Sequence, residues 1–187
     1  ISSGIDLPQV LFISHSHTFF GLLCCFQFSI NYRLSMALTG KLDVEVEVKS
    51  QADKFWHSIR DSTTIFPKAF PDQYKSIEVL EGDGKSVGSV RLVKFADGLP
   101  LVSVQKEKIE VVDEAKKSVS YSIIDGDLLK YYKNFKAHLV VAPKGDGSLV
   151  SWTCEFEKAH EEVPDPNIIR DFAVKNFQEL DDYIHKA

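Results

Sequence analysis

Between Tyr74 and Lys158 the chain turns back on itself at short intervals. Turn-forming words recur at Gly82-Asp83-Gly84, Asp97-Gly98, Asp113-Glu114, Asp125-Gly126-Asp127 and Gly145-Asp146-Gly147. The segments between them, "YKSIEVLE", "GSVRLVKF", "LVSVQKEKIEVV", "KSVSYSII", "NFKAHLVVA" and "SLVSWTCEFEK", read as strands. Parallel neighbours need a crossover of a dozen or more residues, and these connections are too short for that, so the strands must be antiparallel. Two of them alternate cleanly. Val119, Tyr121 and Ile123 oppose Ser118, Ser120 and Ser122, while Val150, Trp152, Cys154 and Phe156 oppose Ser151, Thr153, Glu155 and Glu157. "LVSVQKEKIEVV" breaks the alternation, which leaves room for a bulge.

Upstream, "KLDVEVEVK" keeps a strict period of two, with Leu42, Val44, Val46 and Val48 on one face, as a half-wetted strand requires. "SQADKFWHSIRD" then predicts a short helix, with Ser50 and Asp53 forming a capping box. "STTIFPKAFP" predicts a second one, stopped by Pro71. The last element is a long amphipathic helix. Asp165 is its expected N-cap and Pro166 its first helical residue. Ile168, Ile169, Phe172, Ala173, Phe177, Leu180, Tyr183 and Ile184 share one arc; Asp171, Lys175, Gln178, Asp182 and His185 lie opposite. Asn176 falls inside the apolar arc. The fold class is therefore α+β: a strand, two short helices, six strands and a helix covering the apolar face of the sheet.

The 187 residues suit one domain with an appendage. The first 35 differ from the rest. Asp6 and Arg33 are their only charged residues, "LFISHSHTFFGLLCCFQFSI" is apolar, and the chain's single methionine is Met36. The segment lacks the positive start and compact apolar centre of a secretory signal. Its cleanest run, "FFGLLCCF", is well short of a membrane span. Residues 1–35 are thus expected to be a non-domain extension, disordered or non-native, and residues 36–187 the domain. A body of this size buries about 68–70% of its unfolded surface, enough for a real core.

The net charge of -5 offers no basic stripe for nucleic acid. Cys24 and Cys25 lie in the extension, so Cys154 is alone in the body. This points to a reducing compartment, and Cys154 on an apolar track reads as a buried, inert thiol. His57, His138, His160 and His185 are scattered, and no metal set or catalytic triad emerges. The glycine-rich "EGDGKSVGSVRLVKF" fails as a phosphate loop. Gly82-x-Gly84-x-x-x-Gly88 is one residue too long for the dinucleotide fingerprint, and a strand follows where a helix should. It is read as a hairpin turn.

The words "MALTGKLDVEVEVKS", "EGDGKSVGSVRLVKF", "VQKEKIEVVDEAKKSVSYSIIDGDLLKYYKNFKAHLVVAPKGDGSLVSW" and "TCEFEKAHEEVPDP", with the final helix, resemble the plant major latex proteins. These belong to the birch-pollen-allergen, pathogenesis-related class-ten superfamily. The resemblance covers Met36 to Ala187. It implies a helix-grip fold, with a seven-stranded antiparallel sheet wrapped around the C-terminal helix, two short helices in a V, and an internal cavity for apolar molecules.

On that fold the inward tracks supply a lining: Val93 and Phe95, with Arg91 nearer an entrance, then Leu101, Tyr121, Ile123, Phe135, Ala137 and Leu139. The helix adds Ile169, Ala173, Asn176 and Leu180. Each apolar member could equally be ordinary core. Gln105 and Glu107 share a track with Ile109 and Val111 and are candidates for the interior; the alternative for Glu107 is an outward salt bridge with Lys106 or Lys108. Sparse polar groups of this kind orient a ligand in an apolar pocket.

Pictet–Spengler synthases of the superfamily use an interior Lys, Tyr and Glu. Glu107 lies near the glutamate's place, but Gln105 stands where the tyrosine is expected, and "SVSYS" supplies no lysine. The abscisic-acid receptors carry a gate loop that "FADGLPL" matches poorly. The expectation is a cytoplasmic carrier of a hydrophobic small molecule (hormone-, steroid-, flavonoid- or alkaloid-like) in plant defence or stress response, a monomer or weak dimer without cofactor or metal. The alternative is an isomerase or condensing enzyme of specialised metabolism using the same cavity.

Overall fold

The computed structural model describes residues 38–99 and 102–186. Strand β1 (Thr39–Val48) is followed by helices α1 (Ala52–Arg60) and α2 (Ser62–Ala69). Six strands come next: β2 (Tyr74–Glu81), β3 (Val90–Phe95), β4 (Val104–Asp113), β5 (Ser118–Gly126), β6 (Lys136–Lys144) and β7 (Gly147–Glu157). A short 3-10 turn, Asp127–Lys130, sits between β5 and β6, and helix α3 (Asn167–Lys186) closes the order. The strands form one sheet in the order β1-β7-β6-β5-β4-β3-β2, antiparallel throughout. This is the helix-grip arrangement, with the apolar face of the sheet curled around α3. Val44, Val46 and Val48 point into the core from β1, and Val150, Trp152, Cys154 and Phe156 from β7, as their alternation requires.

Strand β4 shows how one irregularity re-aims side chains. The pairing with β5 slips between Lys106 and Glu107 and again between Ile109 and Val111. Across the second slip the inward track jumps from Ile109, which is buried, to Val112, which packs against the core. Val111 is left exposed, so it does not share the interior with Glu107 and Ile109.

Several expected helix boundaries move. Ser50 does not cap α1: Gln51 holds the cap position, and no side chain bonds there. The backbone N–H groups of Lys49 and Ser50 donate instead to the carboxylate of Asp181 on α3, at 2.9 and 2.8 Å. Helix α2 ends at Ala69, before Pro71, and accommodates Pro67. At the start of α3, the Pro166 carbonyl accepts from the Arg170 N–H, so Pro166 flanks the helix rather than opening it. Asp165 pairs with Lys158 at 2.7 Å.

The core is continuous but unevenly filled. The C-terminal half of α3 packs tightly: Phe177 meets Phe55 of α1 edge-on, with ring centroids 6.4 Å apart, and Leu180 is fully buried. The N-terminal half of α3 spans a void.

Candidate functional site

The void is a cavity of about 190 Å³. A water needs about 10–15 Å³ of such space, so the cavity can take a small organic molecule. Strands β2 to β7 form one wall and the first half of α3 the other. The α1–α2 pair contributes Ile59, Arg60, Ser62 and Phe66. An aromatic chain holds one side together: Phe66 contacts Tyr74 with centroids 5.4 Å apart, Tyr74 contacts Phe95 at 5.4 Å, and Phe95 contacts Phe172 of α3 at 6.1 Å. Large rings bridging helix and sheet span the gap without filling it. Ile168, half exposed, also lines the cavity, as do Leu99 and Val102 on the β3–β4 connection.

Most of the side chains read as inward from the sequence meet on this wall. Val93 and Phe95 of β3, Gln105 and Glu107 of β4, Tyr121 and Ile123 of β5, Phe135, Leu139 of β6, and Ile169, Ala173 and Asn176 of α3 all line the cavity. Arg91 lines it too and is buried. Ala137 and Leu180 are buried without reaching the cavity. Ala137 lies between Tyr121 and Cys154 in the sheet register. Leu180 sits one turn beyond Asn176, in the packed half. Leu101 lies outside the described residues.

Arg91 and Glu107 face each other across the β3–β4 register, and Arg91 Nη2 lies 2.5 Å from Glu107 Oε1. Both side chains are almost wholly buried. Arg91 Nη1 also donates to Ser62 Oγ at 3.1 Å, which ties the pair to α2. Glu107 therefore points inward, toward arginine, not outward toward Lys106 or Lys108. Arg91 Nε has no hydrogen-bond partner.

Tyr121 brings its hydroxyl to the same wall and accepts a bond from Trp152 Nε1 at 3.3 Å. Burial, and after it the negative charge of Glu107, pushes the Tyr121 hydroxyl well above its usual range, so it stays protonated. On the helix side, Asn176 Nδ2 donates to the Phe172 carbonyl at 2.8 Å, and its Oδ1 is buried without a partner. Ser62, Tyr74, Trp152 and Phe172 line the cavity but were absent from the sequence-based set. The alternation of β7 carried the signal for Trp152, and the apolar arc of α3 carried it for Phe172. Nothing in the order of residues marks Ser62, which reaches Arg91 only through the tertiary fold.

The glycine loop is a closed turn. Asp83 Oδ1 accepts from the backbone N–H groups of Lys85 and Ser86 at 2.8 and 2.6 Å and from Ser89 Oγ at 3.0 Å; its Oδ2 accepts from Ser86 Oγ at 2.6 Å. Bonds from Ser86, side chain and backbone, and then from Lys85 hold the Asp83 carboxyl far below the usual range. Gly84 has a φ of +77°, and a Cβ there would stand 2.6 Å from Val79 Cγ2, so glycine is required. Lys85 binds Asp61, and the Lys85 carbonyl accepts from Arg60, so the loop is pinned to the α1–α2 junction.

Comparison with known proteins places this architecture. Residues 37–187 match the family model described as pathogenesis-related protein Bet v 1 family. The chain belongs to that family. Within it, the chain is 55% identical over 151 residues to MLP-like protein 423 of Arabidopsis thaliana, covering 81% of this chain and 97% of the relative. It is 37% identical over 132 residues to major latex protein 146 of Papaver somniferum, covering 69% of this chain and 80% of that one. The crystal structure of major latex-like protein 151 from Panax ginseng superposes on this Bet v 1 family member with a TM-score of 0.72 at 30% identity, over 78% of this chain and 97% of that chain. Norcoclaurine synthase from Thalictrum flavum, solved in complex with dopamine and hydroxybenzaldehyde, shares the fold at a TM-score of 0.66 and 21% identity, over 96% of this chain and 98% of that one.

Proposed function

We propose that the protein binds and carries a hydrophobic small molecule in its internal cavity, as a cytoplasmic component of plant defence or stress response. The observation that carries this reading is the cavity itself: a void of about 190 Å³ inside an otherwise packed core, lined mostly by apolar side chains with a few convergent polar groups. Burying apolar ligand surface there contributes about 25 cal/mol per Å² removed from water. Membership of a family with major latex proteins supports the same reading. Among the described residues no helix is long and apolar enough to cross a membrane.

A second reading, an enzyme working in the same cavity, draws on the buried carboxylate of Glu107 and the hydroxyl of Tyr121. Against it, Glu107 is already engaged by Arg91, Tyr121 holds its proton firmly, and no lysine lines the cavity among the described residues. A general acid or base needs a pKa near the working pH and a free proton path.

Native mass spectrometry of the protein incubated with extract of its source tissue separates the two. A retained adduct of small-molecule mass is the expected result. A small molecule returned with altered mass would favour the enzyme. A bare protein that also ignores hydrophobic dyes would overturn both.

A further inference from the structure

The charged side chains of the cavity wall are all paired. Among the neutral ones, Ser62 Oγ accepts from Arg91 and the Tyr121 hydroxyl accepts from Trp152. Asn176 donates to the Phe172 carbonyl, and its Oδ1 is sealed off from the cavity. Gln105 makes no side-chain bond to the described residues, but its amide turns freely and offers both a donor and an acceptor, so it demands no particular guest.

Tyr74 is different. It lines the cavity and is buried, and its hydroxyl bonds to none of the described residues. That hydroxyl is not among the unpartnered atoms without open surface, which are Gln73 Oε1, Arg91 Nε and Asn176 Oδ1, so part of it stands open. Burial, and after it Tyr121 and Glu107, push the hydroxyl well above its usual range, and it keeps its proton. Tyr121, Glu107 and the opposing Arg91 are all groups of the cavity wall, so the hydroxyl they act on lies on the cavity side of its ring. The ring itself is held by four others: Phe66 and Phe95, each with centroids 5.4 Å away, Phe172 at 5.9 Å and Phe70 at 6.0 Å. Tyr74 cannot swing aside when a guest arrives.

Building on the carrier reading, we infer that Tyr74 determines ligand specificity, its hydroxyl donating to a carbonyl oxygen on an otherwise apolar guest. A phenol that keeps its proton is a ready donor. A carbonyl accepts without bringing a second proton that needs its own acceptor. A guest with no acceptor displaces any water from the hydroxyl and leaves it unmet, which lowers affinity. Because the ring is fixed, rotation does not relieve that cost.

The test uses the full chain, from which two naphthalenes of matched shape displace the neutral dye N-phenyl-1-naphthylamine. 2-Acetonaphthone carries the carbonyl, and 2-isopropenylnaphthalene replaces its oxygen by a methylene group. Tyr74→Phe keeps the ring and removes only the hydroxyl. It should weaken the ketone about five- to tenfold and the hydrocarbon less than about twofold. In the infrared, the carbonyl stretch of the ketone bound to the wild type should fall below its position in hexane, and in the variant it should return there. If Tyr74→Phe does not fold, the wild-type band alone decides, and a band at its hexane position overturns the inference. An unchanged ketone affinity, or equal losses for both compounds, also overturns it. So does a loss that follows Tyr121→Phe and not Tyr74→Phe, or a dye that binds and is displaced by neither compound. All of these leave the carrier reading standing. Failure to bind the dye and both naphthalenes overturns both.

Discussion

The two halves of α3 pack against the same sheet and do different things. From Phe177 onward the helix is locked. Phe177 meets Phe55, Leu180 is fully buried, and the carboxylate of Asp181 takes the backbone N–H groups of Lys49 and Ser50. Up to Phe177, which itself reaches the lining, the helix overhangs a cavity, and Asn176 keeps an unpartnered oxygen. One helix thus serves as anchor at one end and as a wall of the cavity at the other. The difference shows that a hollow interior requires a dense region beside it: the stability that the cavity forgoes in packing must come from elsewhere in the same element.

The comparison can be broken most sharply by truncating one leucine and one isoleucine. Leu180→Ala, in the locked half, should cost about 2–5 kcal/mol, while Ile169→Ala, on the cavity wall, should cost about 1 kcal/mol or less, because a void is already present there. Denaturant unfolding of both variants measures this, and equal losses would mean that the cavity wall is packed like the core.

A smaller effect is expected at the latch. Asp181→Asn should cost about 1–2 kcal/mol, since an amide cannot accept both backbone bonds. Burial alone would raise the Asp181 carboxyl, but the hydrogen bonds from Ser50 and Lys49 outweigh it and hold the pKa below 3.8. A carboxyl depressed in the folded state contributes its full stability above 3.8 and loses it as the pH falls through the lower folded value. The gap between wild type and Asp181→Asn should therefore be constant at neutral pH and close on acidification below that point. A gap independent of pH would show that Asp181 acts through shape rather than charge.

The smallest expected effect is none. If residues 36–187 contain everything that both halves rest on, removing residues 1–35 leaves the melting temperature unchanged. A clear drop would mean that the upstream segment supports one of them.

The sheet was legible because its alternation is strong. Valines at every second position of β1, and the run from Val150 to Phe156 on β7, fix which side chains face in before any tertiary contact is known. The long helix was legible from its apolar arc for the same reason. What stayed hidden depends on partners far apart in the chain. Ser50 looks like a cap by local rules, but its N–H group is taken by Asp181, 131 residues away. Glu107 has lysines on both sides in sequence, while its true partner, Arg91, lies across the β3–β4 register on the inward face that Glu107 shares with Gln105 and Ile109. The void was not legible from patterning at all. The same apolar residues could have filled the space; in the structure Phe95 of the sheet and Phe172 of the helix meet beside the void with ring centroids 6.1 Å apart.

Asp83 stands in the way of any anion that approaches the glycine loop. The N–H groups such a loop could offer a phosphate already hold a carboxylate that is covalently part of the same turn. An anion from solution would have to compete with a tethered rival whose effective concentration is on the order of millimolar or more. The loop is in effect self-inhibited toward phosphate.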